Sequence, residues 1–98
     1  MNTEKHQKQE AEYRLIAEYA GDKDFVHDYR NPALGWGWIM PIVTKITSDG
    51  FSFTMTTYKT AFGCRVGHLA KTFSKTSLLD AVVTSVIGFI EWHNQNKI

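Results

Sequence analysis

The residue types that could bind a metal ion are few in this chain. They are four histidines and one cysteine: His6, His27, His68, His93 and Cys64. Only Cys64 and His68 are close in sequence, and on one strand four residues span about 13 Å, too far to share a zinc ion without a sharp bend. No CxxC, HExxH or helical HxxxH spacing is present. The sequence therefore predicts no metal site, and it indicates no cofactor.

Nucleophilic catalysis would need a Ser or Cys beside a His and an orienting acid. Composition allows Cys64, His93 and Asp28 to meet in space, but no GxSxG elbow surrounds any serine. A lone cysteine in an apolar alternation is usually a small core residue. The glycine pairs at 35–37 and 63–67 lack the remaining residues of a phosphate-binding loop. The sequence thus favours a non-enzyme, with a small hydrolase-like enzyme as an alternative.

A basic segment suggests contact with phosphate. Between Tyr58 and Lys75 the chain has no acidic residue. The candidate phosphate or nucleic-acid contacts there are Tyr58, Lys59, Arg65, Lys71 and Lys75, with Tyr58 and Phe62 as stacking surfaces. The alternative is a solvated sheet edge, because lysines commonly block strand addition there.

A surplus of large apolar residues suggests an interaction surface. The residues are Trp38, Leu78, Phe89 and Trp92, which fall beside the main apolar stripes of two predicted helices. They predict a two-fold homodimer, or a surface for a host protein. The competing interpretation is that they fold over one another within a monomer.

The elements that must position these residues follow from hydrophobic periodicity. Residues 1–8 are polar and predict a flexible N-terminus before a single domain at 9–98. Helices are predicted at about 9–20, 36–48 and 77–95, the second lined by Trp36, Ile39, Met40, Val43 and Ile46. Pro41 is tolerable in the first turn of its helix. Ser77 is the expected N-cap of the last helix, whose core stripe includes Val82, Val86 and Ile90.

Alternation of period two begins at Phe51 and predicts a strand hairpin over about 51–70. Phe51, Phe53 and Met55 should face the helices, with the intervening Ser and Thr outward. A third strand is expected from residues 24–29 or from a second subunit, because two strands alone are marginal. The fold class predicted is α+β, a small antiparallel sheet packed with three helices.

Charge and cysteine content bear on location. Residues 1–30 carry five cations against seven acids, and residues 31–98 carry six against three. No apolar run is long enough for a membrane span, and Met1 to Glu12 lacks a signal-peptide core. With the single Cys64 unable to form an intramolecular disulfide, a reducing cytoplasm is the expected compartment.

Two segments resemble a known family. The run from Trp36 to Ile46, WGWIMPIVTKI, is similar to a W-x-W-L-M-P-V-V-E-K-I segment, and residues 81–94 resemble a closing A-V-x-x-A-V-V-E-F-I-K-W-Y-N helix. Both belong to small proteins of gut anaerobes, their phages and integrated elements, similar to the phage ABA-sandwich domains. Gly35 and Gly88 depart from that pattern, where the relatives often have Asp and Glu. The resemblance implies helices on both sides of a sheet and a mobile-element context, without a reaction.

The function predicted first is that of a phage or mobile-element accessory protein acting by binding, to a host protein or to itself. The alternative is a nucleic-acid or nucleotide-binding module that uses the basic hairpin.

Overall fold

The computed structural model describes residues 2–21, 27–69 and 71–96, with side chains described from residue 9. Three helices and three strands follow one another along the chain: α1 Asn2–Ala20, α2 Gly35–Ser48, β1 Phe53–Thr57, β2 Phe62–Val66, β3 Thr72–Ser74 and α3 Leu78–Gln95. The predicted α+β class is confirmed.

The strands form one antiparallel sheet in the order β1-β2-β3. Phe53 pairs with Val66 and Thr57 with Phe62, while Phe62 also pairs with Ser74 on the other side. The predicted hairpin is therefore present, but the third strand is β3, a segment that the sequence analysis assigned to no strand. Of the alternative at 24–29, residues 22–26 lie outside the described part, and residues 27–29 are loop.

Helix α3 is the central packing element. It lies against β2 and β3 on one side and against α1 and α2 on the other. Val82, Val86 and Ile90 are at most 1% exposed, as the apolar stripe predicted. Such burial is worth about 1.5–3 kcal/mol for each aliphatic side chain. The start of α3 is fixed by Ser77, whose Oγ accepts from the Asp80 N–H at 3.0 Å.

Helix α1 begins at Asn2, earlier than the predicted start near residue 9. Its apolar positions, Tyr13, Ile16 and Ala17, are buried, whereas the polar residues before them gave no periodic signal. Flexibility of residues 1–8 stays a prediction.

Helix α2 begins at Gly35, close to the predicted start, but Pro41 lies inside it, beyond the first turn. The expectation that Pro41 falls in the first turn was therefore wrong. One assignment on its inner face was wrong: Met40 is 38% exposed, and Ile42 takes its place in the core. At 100° per residue, Met40 and Ile42 lie about 200° apart, at opposite borders of the face centred on Ile39, Val43 and Ile46. Packing turns that face toward Ile42.

A close approach explains Gly35. A Cβ there would collide with the Tyr29 carbonyl oxygen and lie 2.8 Å from Leu79 Cδ2. The same loop is held by Asn31, whose Oδ1 accepts from the Ala33 and Leu34 N–H groups. Glycine at position 35 thus lets the 27–34 loop press against α3.

Arg30 fastens that loop to two helices. Its Nε donates to Asp80 Oδ1 at 2.7 Å, and its guanidinium also donates to Thr84 Oγ1 at 2.9 Å. The guanidinium carbon lies 5.6 Å from the centre of the Tyr13 ring. The carboxylate of Asp80 therefore forms an ion pair with Arg30 and also interacts favourably with the positive N-terminal end of α3.

Candidate nucleic-acid interface

The two faces of the sheet are determined by the pairing register. Residues opposite one another on neighbouring strands share a face, so Phe53, Val66 and Cys64 lie together on the side of α3. The other face carries Thr54, Arg65, Gly63 and Phe73, and within the described chain no helix covers it. We call this second side the open face.

Two aromatic rings lie on the open face. Phe73 is 61% exposed and Tyr58 is 42% exposed, and their ring centres are 5.8 Å apart at a tilt of 45°. Gly63 lies between them on the central strand. A Cβ at Gly63 would lie 2.9 Å from Tyr58 Cε2 and 3.6 Å from Phe73 Cδ1, so the glycine lets both rings lie low on the strands. The result is an exposed aromatic platform.

Cations surround this platform. Lys71 Nζ donates to the Tyr58 hydroxyl at 2.7 Å and lies 5.5 Å from the centre of its ring. Extending the β2-β3 register by one residue places Arg65 beside Lys71, and Lys75 is exposed just past the end of β3. Lys59 is exposed in the turn that joins β1 to β2. Four cations thus border the rings, and residues 50–79 contain no Asp or Glu.

Every residue of the predicted phosphate-contact set therefore maps to the open face or to its end. Phe62, the second predicted stacking surface, does not lie on the open face, however. Phe62 pairs with the buried Ser74 and packs against the core on the covered face, and Phe73 occupies the exposed position instead. The signal for Phe73 was the alternation Lys71-Thr72-Phe73-Ser74-Lys75, too short to be recognised as a strand.

The four residues of the predicted apolar interaction surface are largely packed within the chain. Phe89 is 1% exposed and belongs to the core, so it cannot contribute to a monomer's surface. Trp38 stacks on His27 with ring centres 4.4 Å apart, and Trp92 packs edge-to-face on Phe51 and His68. Leu78 is half-buried against the core. Packing within the chain thus covers most of the area that suggested a dimer.

Cys64 is 1% exposed beneath α3, and burial raises the pKa of its thiol while a hydrogen bond with Ser85 partly offsets the rise. A buried, protonated thiol is a poor nucleophile. The described residues include no group of three or more His, Cys, Asp or Glu side chains arranged to hold a metal ion.

A cleft of about 550 Å³, which the sequence analysis missed, lies where the three helices end. Tyr19 donates to Asp49 Oδ2 at 2.9 Å, and Lys45 Nζ donates to the Tyr19 carbonyl at 2.8 Å. Burial and then the Asp49 hydrogen bond raise the pKa of the Tyr19 phenol. Because these polar groups form hydrogen bonds with one another, we interpret the cleft as the place where the helix ends pack together. Its residues are scattered over three helices, and no sequence motif marks them.

His93 also borders this cleft. Its ring packs on Tyr19 and Phe89. Its Nδ1 is buried without a hydrogen-bond partner in the described part of the chain.

None of the helices in the described ranges is both long and apolar enough to span a bilayer. Comparison with known proteins gave no match to a family model, a curated protein or a solved structure.

Proposed function

We propose that this protein binds single-stranded nucleic acid on the open face of its sheet. The observation that carries the proposal is the pair of exposed rings, Tyr58 and Phe73, on an uncovered face bordered by four cations. Unpaired bases stack on such rings, and lysine and arginine side chains follow the phosphates. A duplex keeps its bases stacked inside and offers no ring face, so single strands are the better substrate.

The local charge favours nucleic acid over a protein partner. Aromatic residues and arginine are common at protein interfaces, but lysine is depleted there. The open face has three lysines and one arginine, and residues 50–79 supply no acid to balance them. A polyanion is the ligand class that such a surface attracts most strongly.

In this proposal the protein acts in the cytoplasm, where nucleic acid is accessible and a free cysteine such as Cys64 stays reduced. An accessory role in a phage or mobile element, which the sequence resemblance implies, is compatible with a small strand-binding module. Binding to a host protein is a separate proposal. The open face favours it less, because it has no acidic residues that could pair with basic residues of a partner.

The test is fluorescence anisotropy with labelled single-stranded DNA and RNA and with a duplex of equal length. The variant Phe73→Ala removes the more exposed ring, and it should weaken single-strand binding by about 1–3 kcal/mol. Leu34→Ala is the matched control, because Leu34 is 55% exposed and lies outside the sheet. Equal losses for both variants, or no binding by the parent protein at low salt, would refute the proposal.

A further inference from the structure

The two edges of the sheet differ in how they are protected. Strand β3 has three residues and is flanked by Lys71 and Lys75, and both features discourage strand addition. Strand β1, at the other edge, has five residues, Phe53–Thr57, and none is charged or proline. Within the described chain no strand pairs with its outer side. The outer edge of β1 is therefore open to another strand.

The hydrogen-bond pattern shows which groups β1 presents outward. Gly67 N–H donates to the Ser52 carbonyl at 2.7 Å, and Tyr58 N–H donates to the Ala61 carbonyl at 2.8 Å. In an antiparallel ladder hydrogen-bonded pairs alternate with unbonded ones, so Thr54 and Thr56 also point their backbone groups at β2. The N–H and C=O groups of Phe53, Met55 and Thr57 consequently point away from β2.

We infer that β1 pairs antiparallel with β1 of a second copy of this chain, around a two-fold axis at Met55. Met55 is the middle residue of the strand, so this register pairs all five residues. It matches Phe53 of one copy with Thr57 of the other and satisfies the outward backbone groups of both. The two three-stranded sheets then become one sheet of six strands.

Side chains and charge favour a second copy as the occupant. The Met55 side chain is 43% exposed on the helix side of β1, where the cover provided by the helices ends. Across the axis it meets Met55 of the other copy, and both are then withdrawn from water. The two β1 strands carry no charged residue, so their pairing brings no like charges together. The register also places the turn with Lys59 beside residues 50–52 of the other copy, which follow Asp49, so opposite charges approach at both ends.

This contact replaces the surface predicted from Trp38, Leu78, Phe89 and Trp92, which is mostly packed within the chain. It uses backbone groups on the edge rather than side chains on the open face. It shares only the Lys59 turn with the proposed nucleic-acid site.

The test is a charge exchange at Met55, read by size exclusion with light scattering over a broad range of concentrations. The parent chain should show the mass of two chains as concentration rises. Met55→Lys and Met55→Glu should each stay monomeric, because the axis brings two like charges together. An equimolar mixture of the two variants should recover the dimer.

Met40→Lys is the matched control, because Met40 is a similarly exposed methionine on α2. It should dimerise like the parent chain. A monomeric parent at every concentration, dimers in both single Met55 variants, or a monomeric Met40→Lys would each overturn the inference. Melting temperatures of all variants, measured at a concentration where the parent is monomeric, should match the parent's and exclude unfolding as the cause.

Discussion

The two faces of the same three-stranded sheet have opposite chemistry. On the covered face, Val66 and Cys64 are at most 1% exposed and lie under α3. On the open face, Phe73 is 61% exposed, and Arg65 is exposed too. Arg65 stands between Cys64 and Val66 in the sequence, and Phe73 pairs with Gly63 next to them. The covered face accounts for stability, and the open face is free to bind. Substitutions on the two faces should therefore affect different measurements.

The largest expected effect is on the covered side. Val86→Asp places an unpaired carboxylate at a site with 0% exposure, and it should lower the free energy of unfolding by more than about 3 kcal/mol. Circular dichroism with thermal melting checks this. Phe73→Asp, a charge on the open face, should leave the melting temperature nearly unchanged. If Val86→Asp folds with an unchanged melting temperature, α3 is not the centre of the core.

Gly35 and Gly63 have different surroundings on the two sides of the molecule. Gly35→Ala should destabilise the protein by about 1–3 kcal/mol, because the new methyl group meets the Tyr29 backbone, which cannot move aside easily. In Gly63→Ala the new methyl group meets exposed side chains alone, those of Tyr58, Lys71 and Phe73, which can move aside, so its cost should stay below about 1 kcal/mol. By displacing the Tyr58 ring, Gly63→Ala should still weaken binding to single-stranded oligonucleotides.

Denaturant unfolding and anisotropy measure the two effects. Gly37→Ala is the control, because a Cβ at Gly37 meets nothing within 4 Å. A larger loss of stability for Gly63→Ala than for Gly35→Ala would contradict the conclusion that the open face contributes little to stability.

A pH effect is expected from the covered face. Because burial raises the pKa of the Cys64 thiol, the native state favours the protonated form. Its contribution to stability is fully present below the unfolded-state pKa of about 8.5 and is lost as the pH rises through the native-state pKa. Native protein at pH 8 should therefore react with a thiol reagent far more slowly than protein unfolded in urea. Similar rates in the two states would mean that Cys64 is accessible.

The smallest expected effect concerns a single cation. Arg65→Gln should reduce the dependence of log binding constant on log salt concentration by about 0.7 for a single strand, as expected for one lost phosphate contact. Arg14→Gln on α1 removes an equally charged, exposed residue and should leave the slope unchanged. Equal changes in slope would indicate attraction by overall charge without a defined site.

The covered face was largely predictable from sequence, and the open face only in part. Helical periodicity located Val82, Val86 and Ile90, because a buried stripe on a long helix repeats often enough to be recognised. Strand β3 has three residues, too few for a period of two to be visible, so Phe73 was missed. The role of Gly63 depends on the side chains of Tyr58, Lys71 and Phe73, which come from the two flanking strands or their ends and which no local pattern encodes. The helix-end cleft around Tyr19 depends likewise on contacts distant in sequence.

Mapping by NMR tests whether the open face is the binding surface. Backbone amide shifts of isotope-labelled protein would be followed while a single-stranded oligonucleotide is added at moderate salt. The largest shifts should occur at Gly63, Arg65 and Phe73, and the buried residues Ile16 and Ala17 of α1 should stay unchanged. Shifts concentrated at the helix-end cleft around Tyr19 and Asp49, or none at saturating oligonucleotide, would contradict this prediction.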